Sequence, residues 1–283
     1  MAGGQRIEGR VGRIPWSGII LLGVFCVVAI FAPLIAPHDP TKQDIANPLQ
    51  PPIWHSSGSK GHPLGTDALG QDVLSHLIYG ARVSLLVSVT AVLLSGGIGL
   101  GLGVISGYFG GWLDNALMRL VDIQLSIPFI LLAIVLIGAL GPSAKNVVLV
   151  IAITNWVAYA RVSRAETLSL REKEYVLAAK VSGSGLLRIL GLHIFPNVLN
   201  SAIVLATLDI GKVIVYEAGL SFLGIGVQPP TVSWGLMLAD GRKYISVAYW
   251  LTTLPGIIIV LVVLGGNFVG DWLRDRFDPR LQE

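Results

Sequence analysis

The sequence predicts an all-α, polytopic membrane bundle of six transmembrane helices. Hydrophobic residues make up 53% of the chain and charged residues only 13%, about half the charge of a soluble domain. The apolar residues fall in uncharged blocks, several of which reach the roughly 20 residues needed to cross about 30 Å of hydrocarbon. Lys and Arg sit at the ends of those blocks rather than in a stripe interleaved with aromatic residues. Despite the net charge of +3, that distribution argues against nucleic acid as a partner.

The first block, residues 17–36, follows Arg6, Arg10 and Arg13. It exceeds the roughly 7–15 residues of a signal core and no small-x-small site closes it, so it is expected to be a retained span. The one cysteine, Cys26, lies within it, and no intrachain disulfide can form. Residues 37–80 form a polar segment. Its first half carries Pro37, Pro40, Pro48, Pro51 and Pro52, which predicts extended, irregular chain. Further on, Leu69, Val73 and Leu77 recur every fourth residue, with Leu74 and Ile78 similarly spaced. That pattern predicts an amphipathic helix lying at the membrane surface, capped by Thr66 or Asp67.

Span two is placed at residues 83–106. Its Gly97/Gly101, Gly99/Gly103 and Gly103/Gly107 spacings fit close helix–helix packing; the GxGxxG order of a nucleotide loop is absent. Span three, 123–140, contains Pro128, which a membrane helix tolerates when neighbours re-satisfy the freed backbone. Span four, 147–160, makes only about 21 Å of helix and is expected to continue past Arg161. A polar segment, 161–193, precedes span five at 196–224, which holds Asp209, Lys212 and Glu217. Span six is 247–269, with Pro255-Gly256 inside it.

Six crossings put both termini on one side. That side collects thirteen of the twenty Lys and Arg residues, among them Arg6, Arg10, Arg13, Arg280 and six from the 161–193 segment, against five on the other. The bias predicts cytoplasmic termini.

The segment 161–193 is the most informative. Residues from Glu174 to Lys180 are good helix formers, Gly183 can end that helix in a left-handed conformation, and Pro196 suits the first turn of span five. The expected product is a helix–glycine–helix hairpin with a small Ala178-Ala179 patch that another protein's groove could accept. On pattern alone, a solvated connector fits equally.

Known families bear on that choice. The hairpin resembles the EAA loop of ABC-importer permeases: Glu-Ala-Ala, three residues, Gly, nine residues, then Ile-x-Leu-Pro. Ala178, Ala179, Gly183 and Pro196 stand at matching positions; Leu177 replaces the Glu, His193 the Ile and Phe195 the Leu. The run from His62 through Asp67 to Ser75, with Tyr79-Gly80-Ala81-Arg82 after it, is similar to the approach to span two in dipeptide and oligopeptide permeases, although Gln71 replaces the usual Arg. Residues 220–230 and Ser233-Trp234-Gly235 are similar too. The chain is identified as a member of the dipeptide/oligopeptide/nickel permease group, of the second, C-type, subunit.

The resemblance implies a type I ABC-importer permease fold in a bacterial inner membrane. Residues 81–272 would be the permease domain with coupling loop 161–193, 1–36 the cytoplasmic N-terminus and first helix, 37–80 an extracytoplasmic segment and 273–283 a cytoplasmic tail. Glu174, Leu177, Ala178, Ala179, Gly183 and Pro196 would belong to the hairpin that docks on an ATPase subunit. The implied partners are a homologous permease, two ATP-binding subunits, an extracytoplasmic substrate-binding protein and the lipid bilayer. The cargo would be a dipeptide, a longer peptide or a nickel chelate.

The charged residues of span five are costly in a bilayer and should face protein or water. Asp209 and Lys212 are three apart and can pair along the helix; together with Glu217 they read either as a structural ion pair or as neighbours of a translocation path. An ion- or proton-coupled carrier is the alternative function they allow, but such carriers usually show internal repeats, and the chain has none. No catalytic set is visible and no cofactor is expected. The phosphate-binding GxxxxGK[ST] motif does not occur, since Gly211-Lys212 is followed by Val213, so ATP would be bound by partner subunits. His38, His55, His62, His76 and His193 show no ligand spacing, and no metal site is expected.

Overall fold

A computed structural model describes residues 14–277 of the chain. Arg6, Arg10, Arg13 and Arg280, which contribute to the charge bias, lie outside the described residues. The described chain is helical, with one isolated antiparallel bridge between Thr66 and Asp72.

Helix α1 (Trp16–Ile30) is apolar on every side and stops at Phe31, where α2 (Ala32–Ile35) begins with a proline in its first turn. The predicted 17–36 span is therefore interrupted, and the 15 residues of α1 reach only about 22 Å. Helix α3 (Val73–Phe109) follows the irregular segment and is continuous over 37 residues. A separate surface helix at 69–80 is not formed. Val73, Leu77 and Ile78 are buried, and Val73 and Leu77 pack in one core cluster with Trp234 rather than against lipid headgroups. The cap is Asp72, whose carboxylate accepts from Ser75 N–H at 2.8 Å. Thr66 instead donates its hydroxyl to Asn47 O, and Asp67 accepts from the N–H groups of Leu69 and Gln71. Burial works against the Asp72 charge, but hydrogen bonds from His62 and Ser75 outweigh it and hold the carboxyl below the usual carboxylate pKa. A charged cap also suits the positive end of the helix dipole.

Span three departs from expectation as well. Helices α4 (Gly111–Leu125) and α5 (Phe129–Leu140) meet at a bend of 92°. Pro128 removes an N–H and drives the preceding residue out of the helical region, so the helix ends there. Helix α6 (Ala144–Leu170) runs well past Arg161, as expected, from a Ser143 cap. The hairpin helices α7 (Glu174–Val181) and α8 (Leu186–Ile189) lead through a π-helical turn into α9 (Phe195–Phe222). Helix α10 (Trp234–Gly241) and helix α11 (Trp250–Phe277) complete the described chain. Four helical runs are long and apolar enough to cross a membrane, and the bent α4/α5 pair makes a fifth; α1 is the short sixth of the predicted set.

α3 lies along α6 and beside α9, and α11 closes the bundle against α9 and α1. Gly99 and Gly103 allow the α3–α6 approach: a Cβ on either would overlap the backbone of α6 at Trp156 and Ala160. Gly107 packs the same way against Arg164 and Thr167. Gly97 and Gly101 face open space, so only the 99/103/107 register of the predicted stripe packs within the chain. Leu86, Leu93, Leu131, Val135 and Val260 point outward, an apolar surface of the kind a bilayer covers.

Candidate functional site

The bundle has two ends. The irregular 36–72 segment lies at the head of α3; the 171–194 hairpin lies at its foot, where Arg171 donates to Gly107 O at 2.9 Å. Helix α6 carries the chain straight into the hairpin, so the predicted loop 161–193 is helical in its first part.

Helix α7 has Glu174 in its first turn and Lys180 in its last, the arrangement that complements its dipole. It ends in a Schellman motif: Gly183 sits at φ +76°, its N–H donates to Lys180 O at 3.0 Å, and Ser184 N–H donates to Ala179 O at 3.0 Å. Only a residue tolerating the left-handed region fits there. After α8, the N–H of Phe195 donates to Leu190 O, five residues back. That π turn leads into the start of α9, where Pro196 lies in the first turn and lacks an N–H to donate.

The hairpin has two unlike faces. Inside, Val176, Ile189 and Ile194 are buried with Val198 of α9 against Leu100 and Val104 of α3, and Ala179 packs beside them. Outside, Val181 is 90% and Leu187 85% exposed. Leu177 and Tyr175 are also exposed, as are Glu174 and Ala178. The inner face fixes the hairpin to the bundle, while the outer face presents apolar side chains that the fold leaves uncovered.

A second polar centre lies among the spans. Asp209 and Lys212 pair along α9 at 3.0 Å, as predicted. Sequence reading missed the third member, Asn155 of α6. Its amide donates to Asp209 Oδ2 at 2.7 Å, and its carbonyl oxygen accepts from Lys212 Nζ at 3.0 Å. The carboxylate is buried and the ammonium is half exposed, facing a cavity of about 290 Å³ at the α4/α5 break. Gln124, Phe129, Asn155, Lys212 and Tyr216 are among its lining residues. Phe129 stacks on Tyr216 with ring centres 3.9 Å apart. Gln124 is held by Trp156 Nε1 and by Thr154 O. The cavity thus offers amide, ammonium and aromatic groups to a polar guest.

Glu217 does not join that centre. It is fully buried and accepts from Ser84 of α3 at 3.2 Å, and from Ser221 and Ser233 at 2.8 Å each. Its role is to bolt α3, α9 and the start of α10 together. Asp114 and Arg164 form another link that sequence spacing did not suggest: a two-point ion pair fixing α4 on α6, with Ser106 of α3 donating to the same carboxylate. At the opposite end from the hairpin, a larger cavity of about 660 Å³ lies between the 40–43 and 67–76 stretches and the α10 region.

The family model described as binding-protein-dependent transport system inner membrane component matches residues 99–283. One described as the N-terminal transmembrane domain of oligopeptide transport permease C matches residues 13–52. The chain is 46% identical over 266 residues to the dipeptide transport system permease protein DppC of Escherichia coli K12, covering 94% of this chain and 89% of that one. It is 44% identical over 266 residues to the DppC of Haemophilus influenzae, with 94% and 90% covered. The di/tripeptide transport system permease DppC of Pseudomonas aeruginosa is 44% identical over 263 residues, with 93% and 86% covered. Among solved structures, the inward-facing MetNI methionine ABC transporter aligns with a TM-score of 0.58 at 20% identity, over 72% of this chain and 96% of that chain. That likeness speaks to the fold alone.

Proposed function

The chain belongs to the family of binding-protein-dependent transport-system inner membrane components, and on that premise we propose that it moves peptides, dipeptides first among them, through a path built with a second, homologous permease. It is a multi-pass helical permease subunit of an ABC importer. The peptide cargo is supported by the names of its relatives at 44–46% identity. The ion-coupled carrier is set aside by the family assignment.

In this reading ATP is bound and hydrolysed by two partner subunits, and this chain supplies neither a catalytic group nor a cofactor site. Glu174, Leu177, Ala178, Ala179 and Gly183 carry the hairpin that docks on one ATPase, and Pro196 marks its junction with α9. Both termini and the hairpin lie in the cytoplasm. A substrate-binding protein delivers peptide to the other end. The cavity beside Lys212 is then a station on the path, with the Asp209–Lys212 pair at its wall.

The observation that carries the coupling role is the two-faced hairpin: Val176, Ile189 and Ile194 anchor it, while Val181 and Leu187 stand bare. Apolar side chains left bare on one face suit burial against a partner protein. Leu187→Asp in the assembled transporter tests it. The expected result is loss of co-purified ATPase subunit and of peptide uptake, with the melting temperature of the chain unchanged. Parental ATPase association and uptake would overturn the role.

A further inference from the structure

Three side chains from distant parts of the sequence meet at the head of α3. Nδ1 of His62 lies 3.0 Å from Asp72 Oδ1, and Nδ1 of His38 lies 3.6 Å from Asp72 Oδ2. All three ligand atoms fall within 4.8 Å of one another. The two imidazole rings are tilted by 33° with centres 4.8 Å apart, so both bring the same ring nitrogen to one carboxylate.

Helix capping accounts for part of this cluster. Asp72 Oδ2 accepts from the N–H and Oγ of Ser75 at 2.8 and 2.7 Å. The backbone N–H of His38 donates to Ser75 Oγ at 3.1 Å, and His62 hydrogen-bonds Asp72 Oδ1. Capping does not account for His38 Nδ1, a buried nitrogen with no hydrogen-bond partner. It faces Asp72 Oδ2 across 3.6 Å without a hydrogen bond, and an ion between the two would satisfy both.

We propose that His38, His62 and Asp72 form a binding site for a divalent transition cation of the zinc class. Zinc binds imidazole nitrogen at about 2.0–2.1 Å and carboxylate oxygen at about 2.0–2.2 Å. Tetrahedral neighbours then stand roughly 3.3–3.5 Å apart; His62 and His38 lie 3.0 and 3.6 Å from the two different oxygens of Asp72, and the three ligand atoms, within 4.8 Å of one another, would draw together around the ion. Two imidazoles and one carboxylate suit zinc-like ions rather than calcium or magnesium, which favour all-oxygen sets. The fourth position is left to water. Ser75 holds the carboxylate in place, as outer partners of metal ligands do. The ion would tie residues 38 and 62 to the first turn of α3. Pro40, Gln71, Val73 and His76, all near these ligands in the chain, line the 660 Å³ cavity, so the bound ion would also stiffen that cavity's wall. The proposal does not depend on the peptide-transport reading.

The test is Zn²⁺ titration against a chromophoric chelator, on the chelator-stripped full-length chain in detergent without a polyhistidine tag. The visible spectrum of the Co²⁺ form accompanies it. One equivalent of Zn²⁺ is expected, bound at least about tenfold more weakly by His38→Ala and by His62→Ala, with His55→Ala at the parental affinity. Co²⁺ should give the intense absorption of a four-coordinate site, lost in His38→Ala. Absence of Zn²⁺ binding in the parent, or equal affinity in His38→Ala, overturns the proposal. If His62→Ala fails to fold by circular dichroism, His38→Ala decides alone, because its Nδ1 has no hydrogen bond to lose.

Discussion

At the scale of single residues, the chain places its charges inside the bundle in two different ways. Asp209 is buried and shares its oxygens between Lys212 and Asn155, whereas Lys212 is partly open to a cavity. A buried pair contributes little net stability, yet removing one partner strands the other. Lys212→Met is therefore expected to cost about 3 kcal/mol, the low end for buried pairs, because the Lys212 side chain is 41% exposed. Asp209→Asn combined with Lys212→Met should recover much of that loss. Thermal unfolding of the single and double variants in detergent measures it, and equal losses in both would refute the pairing. The i,i+3 spacing made this pair readable in the sequence. Asn155 was not readable, since an asparagine in an apolar block carries no signal until its partner 57 residues away is known to face it.

At the scale of elements, three glycines hold α3 against α6. Gly103→Ala would press a methyl group into the Ala160 backbone, and overpacking of that kind costs about 1–3 kcal/mol. Gly101→Ala, two residues away and facing open space, should be neutral or stabilising by up to ~1 kcal/mol, the helix-propensity difference between the two residues. Equal melting temperatures for the two variants of the isolated chain would sink this assignment. The spacing of the glycines announced close packing, but four-residue periodicity fits two registers, and the sequence could not choose between them.

The hairpin is the element whose form followed most directly from local chemistry. Gly183 ends α7 in the left-handed region at the position its spacing indicated. Gly183→Ala places a Cβ in that conformation at about 1–2 kcal/mol. Faster hydrogen exchange at the amides of Gly183 and Ser184 is expected, with α3 and α6 unchanged; parental exchange rates there would contradict it. The break between α4 and α5 was misjudged for the opposite reason. A proline in a membrane helix can be bridged or can end the helix, and neighbours decide which.

At the scale of the whole molecule, the hairpin and the 36–72 segment occupy opposite ends of α3. Orientation is thus a single binary property of the bundle. The Lys and Arg bias predicts that the hairpin end is the cytoplasmic one. In a Cys26→Ser background, needed because Cys26 is exposed, Lys173→Cys should react with an impermeant thiol reagent only in inverted vesicles. Lys60→Cys should react only in intact spheroplasts. The reverse pattern would invert the bundle and remove the coupling role from the hairpin.

Read by itself, the sequence determined what depends on neighbours along the chain: which blocks prefer lipid to water and where a left-handed glycine stops a helix. Those preferences are local free energies, summed over windows of a few turns. Only the tertiary structure decided that Asp72 rather than Thr66 or Asp67 begins α3, that residues 73–80 are core rather than surface, and that α4 bends away from α5. It also decided that Glu217 stands apart from the Asp209–Lys212 pair and that His38 and His62 converge on Asp72. The burial of residues 73–80, the separation of Glu217 and the convergence of His38 and His62 are settled by contacts between segments far apart in sequence, and the free energy of such a contact exists only once the helices have packed.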